Sequence, residues 1–296
     1  MFKLGVITDE ISQDLEVAAK LAKKYELDGL EIRSVWEKGP HELNKQNIAS
    51  IKKILTDYKL ECCGISSPLF KCELNDEAEI KEHIKILKKC ITLAKALGTK
   101  FIRGFTFWQR GDFAEALPKI VEQYRKIFDI IEQEDIYILI EFDPSVYASN
   151  ANKTAMLLSA INHPQIKALW DPGNDIYDPQ GEIPYPDGYE WIKDKLLHIH
   201  IKDAIIQNGE AVCVPFGTGV VDYEGQFKAL SRDKYEGYLV METHYRLKHN
   251  LSEDLMTLPK GSAFSLGGYE ATEESLINIK RSIKQWGLSK NLQATN

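Results

Sequence analysis

Glu141, Asp171, His200 and Glu242 each close a short apolar run in the second half of the chain. The runs are 136–141 (IYILIE), 166–171 (IKALWD), 196–200 (LLHIH) and 238–242 (YLVME). Carboxylates and imidazoles are ligands of divalent cations. Three oxygen donors with one nitrogen suit a harder ion such as manganese or magnesium, with cobalt or zinc also accommodated. The first three runs recur about every thirty residues and the fourth follows about forty later, which is the spacing of βα units. In a parallel barrel the C-terminal strand ends share one face, and that face carries the chemistry. Four such ends would converge on one ion. In HIH, His198 and His200 lie two apart and share a strand face. Depth selects His200, nearer the C-terminal end, with His198 one layer below.

Such a centre predicts proton abstraction next to a carbonyl. A substrate carbonyl and its neighbouring hydroxyl chelated by the ion would be polarised, and the adjacent C–H acidified. One of Glu141 and Glu242 would take the proton and the other return one. Return to another carbon is aldose–ketose isomerisation, and return to the other face is epimerisation. The same start followed by loss of a β-hydroxyl makes a lyase or dehydratase of a keto-sugar or keto-cyclitol. A non-catalytic sugar-binding barrel is the rival from another class.

The elements that must position these groups alternate in type. Strands are expected at 3–8, 29–33, 60–66 and 101–105, followed by the four runs above. Helical patterns fall at 14–25, 45–58, 77–97, 113–134, 154–161 and 273–286, with Ser12 and Asn152 as start signals and Gly98 and Gly287 as stops. Eight βα repeats predict an α/β fold, a closed (β/α)8 TIM barrel forming one domain over 1–296. A doubly wound open sheet is the alternative, weakened because no G-x-G-x-x-G follows the first strand. Two stretches break the pattern. One is a Pro/Gly-rich loop at 175–187. The other is a long, weakly structured loop at about 244–270 after the eighth strand, of the kind that forms lids or contacts a neighbour.

Composition narrows the class. A net charge of -7 with no long basic cluster argues against nucleic acid as a partner. No apolar run reaches membrane-spanning length. The start MFKLGVITDE does not read as a signal peptide. Five cysteines without C-x-x-C spacing fit reduced thiols in a cytoplasmic protein, Cys62 and Cys63 facing opposite sides of one strand.

The stretches ILIEFDP (138–144), HPQIKALWDPGN (163–174), HIHIKD (198–203), GTGVVDY (217–223) and EGYLVMETH (236–244) resemble the xylose-isomerase-like TIM-barrel superfamily of sugar and sugar-phosphate isomerases and epimerases. The resemblance implies one divalent metal, commonly manganese, on Glu141, Asp171, His200 and Glu242. It also implies the two glutamates as acid/base pair, a small polyhydroxy carbonyl substrate, and a homodimer or homotetramer. Three positions depart from the ketohexose 3-epimerases of that group: Asn174, Tyr147 and Ile206 stand where those enzymes carry His, Glu and Arg. The D-x-H of the DNA-repair branch is absent after His200, as are histidines at Ser66-Ser67 and Arg103-Gly104. Lys202, Asn174, Arg103, His244 and Trp108 are the candidate substrate contacts, with Glu31 and Arg33 as further pocket-lining candidates. An ion pair with Asp203 is the alternative role for Lys202.

Overall fold

The computed structural model describes residues 2–178 and 180–288; residues 1, 179 and 289–296 lie outside it. Eight parallel strands close into a barrel: β1 (Lys3–Ile7), β2 (Gly29–Ile32), β3 (Glu61–Leu69), β4 (Phe101–Gly104), β5 (Tyr137–Glu141), β6 (Ile166–Trp170), β7 (Leu196–Ile201) and β10 (Tyr238–Met241). Closure is made by β1 pairing in parallel with β10, Lys3 opposite Tyr238 through Val6 opposite Met241. That pairing excludes the open sheet. The strands are nearly continuous apolar runs because both faces are covered, by helices outside and by packed side chains inside. Cys62 and Cys63 show the alternation. Cys63 joins Ile7, Tyr238 and Val240 in a small cluster, whereas Cys62 packs into the large outer core.

Helices Lys45–Tyr58 and Glu77–Leu97 have the bounds their periodicity predicts. The second is capped by Asp76, whose side chain accepts from the amides of Ala78 and Glu79, and ends at Gly98 with φ 78°. Other helix ends differ. Asp14, not Ser12, caps Leu15–Lys24, taking the amide of Glu16 at 2.9 Å. The expected helix 113–134 is two, Phe113–Arg125 and Phe128–Glu134, because i to i+3 bonds at Lys126 and Ile127 tighten the chain between them. Asn150 rather than Asn152 starts Ala151–Ile161, and the closing helix begins earlier, as Gly268–Gln285.

Two insertions rise from the C-terminal face. An antiparallel hairpin, β8 (Asp203–Gln207) and β9 (Glu210–Val214), follows β7 directly. Its turn is Asn208-Gly209 with φ 54° and 86°, both in the left-handed region that a type I′ turn requires. The stretch after β10 is more ordered than its sequence predicts. It holds short helices at Glu253–Thr257 and Gly261–Ser265 and then docks on the first strand's exit, a single 3-10 turn at Thr8–Glu10. Ser265 Oγ donates to the Asp9 carbonyl at 2.8 Å and Thr272 Oγ1 to that of Glu10 at 3.1 Å. Gly268 is required there, since a Cβ would collide with the Glu10 carbonyl. In the 175–187 region, the helical turns Pro172–Ile176 and Pro184–Gly188 frame the predicted loop.

Candidate active site

β7 ends in alternation, so His198, His200 and Lys202 all project into the barrel. One ligand atom from each of Glu141, Asp171, His200 and Glu242 lies within 4.8 Å of the others, and all four side chains are buried. His200 Nδ1 is 2.8 Å from Glu141 Oε1 and 3.7 Å from Glu242 Oε2. His198 lies deeper, beside Phe101 and Tyr238.

Glu31 is not a pocket-lining residue. It sits behind His200, 3.1 Å from its Nε2, and also meets His198 Nε2 at 2.6 Å and the Ser66 hydroxyl. Burial opposes its ionisation, but the two imidazoles overcome that and hold its carboxyl well below the usual range. The same contacts, with Glu141, hold His200 well above its usual pKa against burial. A carboxylate on Nε2 keeps the proton there and leaves Nδ1 turned to the cluster, the arrangement that orients metal-binding histidines. Glu31→Gln is expected to weaken divalent-metal affinity about 10- to 100-fold. Titration calorimetry with Mn2+ checks this, and unchanged affinity contradicts it.

Each carboxylate in the cluster has a cationic neighbour. Arg103 Nη1 donates to Glu141 Oε2 at 2.9 Å. Arg33 donates to Glu242 Oε1 at 2.6 Å while also holding Asp9 and Glu10, at 2.9 and 2.7 Å. Lys202 Nζ sits between Asp171 Oδ2 at 2.7 Å and Glu242 Oε2 at 3.2 Å. Burial would raise both glutamates. Arg103 and His200 pull Glu141 down, and Lys202, His244 and His200 hold Glu242 well down. Asp171 goes the other way, to about 7, because burial and then Glu242 and Glu141 outweigh Lys202.

Lys202 does not pair with Asp203. Asp203 instead accepts from the amides of Gly217 and Gly219, each at 2.9 Å, and so ties down the turn that follows the hairpin. The end of β7 is held against the turn after β6, where a Cβ on Gly173 would overlap the Lys202 carbonyl oxygen.

A cavity of about 790 Å³ opens over this cluster. Of the predicted contacts, Lys202, Asn174, Arg103 and His244 line it, as does Arg33. Asn174 Nδ2 is engaged by the Phe142 carbonyl at 2.8 Å. His244 lies 2.9 Å from Glu10 Oε1. Trp108 is not among the lining residues; it lies behind Lys71, whose ammonium sits 5.6 Å from its ring. Tyr147 is buried in the core, and Ile206 is exposed on the hairpin. Sequence reasoning missed Asp9 and Glu10 as partners of Arg33, and the hairpin wall. The Asn-Gly pair between two apolar runs was the available signal for the hairpin.

The donor set fits a divalent ion. Three carboxylates and an imidazole converge, and Asp171 Oδ2 is buried with no well-directed hydrogen bond, only the Lys202 ion pair. Burial raises the Asp171 carboxyl to about 7, so below that pH a proton competes with a cation for it. Metal affinity is therefore expected to fall as pH drops through about 7, roughly tenfold per pH unit for each displaced proton. Titration with Mn2+ in buffers of different ionisation enthalpy counts those protons, and pH-independent affinity between about pH 5 and pH 8 contradicts it.

The sequence profile described as xylose isomerase-like TIM barrel matches residues 19–261. The chain is 24% identical over 188 residues to 3-dehydroshikimate dehydratase of Bacillus anthracis, covering 60% of this chain and 62% of that one. It is 27% identical over 186 residues to a putative L-ribulose-5-phosphate 3-epimerase of Escherichia coli K12, covering 56% and 59%. The chain thus spans about three fifths of the length of the curated relatives it matches. D-allulose 3-epimerase from Methylomonas sp., in complex with D-allulose, superposes with TM-score 0.72 at 18% identity over 95% of this chain and 97% of that one. The matched span contains all four strand ends that meet at the cluster, and on that match the chain belongs to the xylose isomerase-like TIM-barrel family.

Proposed function

We propose that the protein is a divalent-metal-dependent isomerase or epimerase of a small polyhydroxy carbonyl compound, acting by proton abstraction next to the carbonyl. The observation that carries this reading is the convergence of two glutamates, each with a cationic neighbour, with an aspartate and a histidine under one cavity. Glu141, Asp171, His200 and Glu242 would hold the ion, and the oxygen-rich set favours manganese. When bound, the ion supplies Lewis acidity to a substrate carbonyl.

The chain's own residues do the rest. Glu141 and Glu242 reach the cluster from β5 and β10, separated in the barrel by β6 and β7. They therefore approach a bound substrate from different sides. Kept ionised by Arg103, Arg33 and Lys202, either glutamate accepts a proton at neutral pH and then returns it as an acid. The Lys202 ammonium, placed by Asp171 and Glu242, donates to a substrate oxygen. The long segment after β10 and the β8–β9 hairpin wall the cavity and limit water.

The sugar names of the Escherichia coli relative and the Methylomonas neighbour support a sugar substrate. The Bacillus anthracis dehydratase favours a second reading, in which abstraction is followed by loss of a β-hydroxyl. We infer a reducing compartment, the cytosol, from five free cysteines. No helix among the described residues is long and apolar enough to cross a membrane. Titration of the metal-stripped protein with Mn2+ tests the reading. One ion per chain, and none in Asp171→Ala, is expected; undiminished binding by Asp171→Ala overturns the assignment.

A further inference from the structure

Two large aromatic residues at the rim of the barrel stand in left-handed backbone conformations. Phe70, just past β3, has φ 60°, and Phe107, past β4, has φ 66°. For a bulky side chain this region is sterically costly, and such outliers gather where function fixes the chain. The two turns hold each other in place. The Phe107 amide donates to the Phe70 carbonyl at 2.8 Å, the two rings stack with centroids 4.8 Å apart, and the Phe70 amide donates to His83 Nδ1 at 2.9 Å. The residues that follow them are Lys71 and Trp108. The strained turns set the Lys71 ammonium 4.5 Å from the centre of the Phe105 ring and 5.6 Å from that of Trp108.

Lys71, Phe105 and Asp143 all line the cavity. Lys71 Nζ donates to Asp143 Oδ2 at 2.9 Å, and its other two N–H groups have no hydrogen-bond partner among the described residues. Asp143 Oδ1 accepts from the amide and hydroxyl of Ser145, which leaves Oδ2 with Lys71 alone. The Asp143 side chain is 18% exposed, so a ligand in the cavity can still reach it. Arg33, Arg103 and Lys202 serve the carboxylates of the metal cluster. Among the described residues, no hydrogen bond or ion pair joins Lys71 or Asp143 to that cluster. The pair is nonetheless close to it. Asp143 follows Glu141 by two residues, a reach of at most about 7 Å along the backbone. The Phe105 ring beside Lys71 also lies 4.8 Å from the Arg103 guanidinium that holds Glu141.

A cation and a carboxylate side by side offer a donor and an acceptor with no net charge. A hydroxyl group uses both, because its oxygen accepts and its proton is donated. We infer, building on the proton-transfer reading of the cluster, that Lys71 and Asp143 form a subsite for substrate hydroxyls remote from the carbonyl. Lys71 Nζ donates to one such oxygen and Asp143 Oδ2 accepts from it or from its neighbour. The pair thereby sets a preference for a long polyhydroxy chain over a short or deoxygenated one, while the carbonyl end meets Glu141 and Glu242.

The test uses ligands that cannot react. Pentitols and hexitols are titrated calorimetrically into the protein with manganese present, and compared with 1,2-hexanediol. That diol keeps the chain length and the vicinal pair at one end but lacks the remote hydroxyls. Hydrogen bonds to charged partners predict about 10- to 100-fold tighter binding for the best alditol than for the diol. In Lys71→Met, which keeps an apolar stem against the two rings, that ratio falls toward one. Thermal melts report whether the variant folds, and Asp143→Asn replaces it if it does not. A ratio near one in the parent protein overturns the inference. A ratio that persists in a folded variant also overturns it, and leaves the pair as a structural bridge between two loops. Preferential alditol binding without deuterium uptake by any keto compound upholds the subsite and sinks the proton-transfer reading instead.

Discussion

Replacing Glu242 by glutamine is expected to lower turnover of a keto-sugar substrate by about 10²- to 10⁴-fold at saturating metal, the range for losing a general acid or base. The side chain keeps its shape, so the loss reports charge and proton transfer rather than packing. Glu242 sits between Lys202, His200 and Arg33, and these cationic neighbours hold its carboxyl well below the usual range although it is buried. Glutamine cannot take the proton. Glu141→Gln predicts a loss of the same order, because Glu141 is held ionised by Arg103 and His200 from the other side. Metal content measured on both variants separates a lost ligand from a lost base. A variant that retains the ion and loses turnover identifies the acid/base role. Full turnover by either variant contradicts the mechanism.

The second large effect is on stability. Arg33→Met is expected to destabilise the fold by about 3–5 kcal/mol, the cost of leaving one side of a buried ion pair uncompensated. Arg33 is buried and donates to Asp9, Glu10 and Glu242 at once, all three also buried. Methionine matches much of its bulk and none of its charge. At roughly 2–4 °C per kcal/mol for a domain of this size, the melting temperature should fall on the order of 10 °C. The pH dependence has a definite sign. With the guanidinium gone, the Asp9 carboxyl, which burial already raises above its unfolded value, rises further, so the folded state binds more protons there and the variant's stability increases as pH falls. Asp9 already stands at about 7 with Arg33 present, because burial and Glu10 outweigh the guanidinium. The deficit should therefore be largest above about pH 7 and shrink in acid. Thermal melts of both proteins across pH check this, and a melting temperature unmoved at neutral pH contradicts it.

The barrel was legible from the sequence because its information is local. Strand runs, helix periodicity and stop signals such as Gly98 each occupy a few consecutive residues, and eight βα repeats leave few topologies. The convergence of Glu141, Asp171, His200 and Glu242 followed from strand ends alone. Choosing His200 over His198 needed only depth along one strand; His200 Nδ1 lies 2.8 Å from Glu141 Oε1, whereas His198 Nε2 meets Glu31. Partners chosen across the barrel were not legible. Nothing in the spacing ties Arg33 to Asp9 and Glu10, which a 3-10 turn after β1 turns inward, or Glu31 to both imidazoles of β7. Lys202 shows the same limit: an ion pair with Asp203 was the alternative to a substrate contact, but strand alternation sends the two side chains apart, Lys202 to Asp171 and Asp203 to the Gly217 amide. The split at Lys126 and Ile127 and the early start of the closing helix at Gly268 reflect tertiary docking that propensity does not encode.

The most direct test of the central claim is deuterium uptake followed by proton NMR. The manganese-replete protein is incubated in heavy water with a panel of ketoses, keto-glycosides and keto-cyclitols. Proton transfer by Glu141 and Glu242 predicts deuterium at the carbon beside the carbonyl of at least one compound, lost on chelation and in Glu242→Gln. Product formed with no deuterium at that carbon, or uptake that persists in Glu242→Gln, would contradict the account.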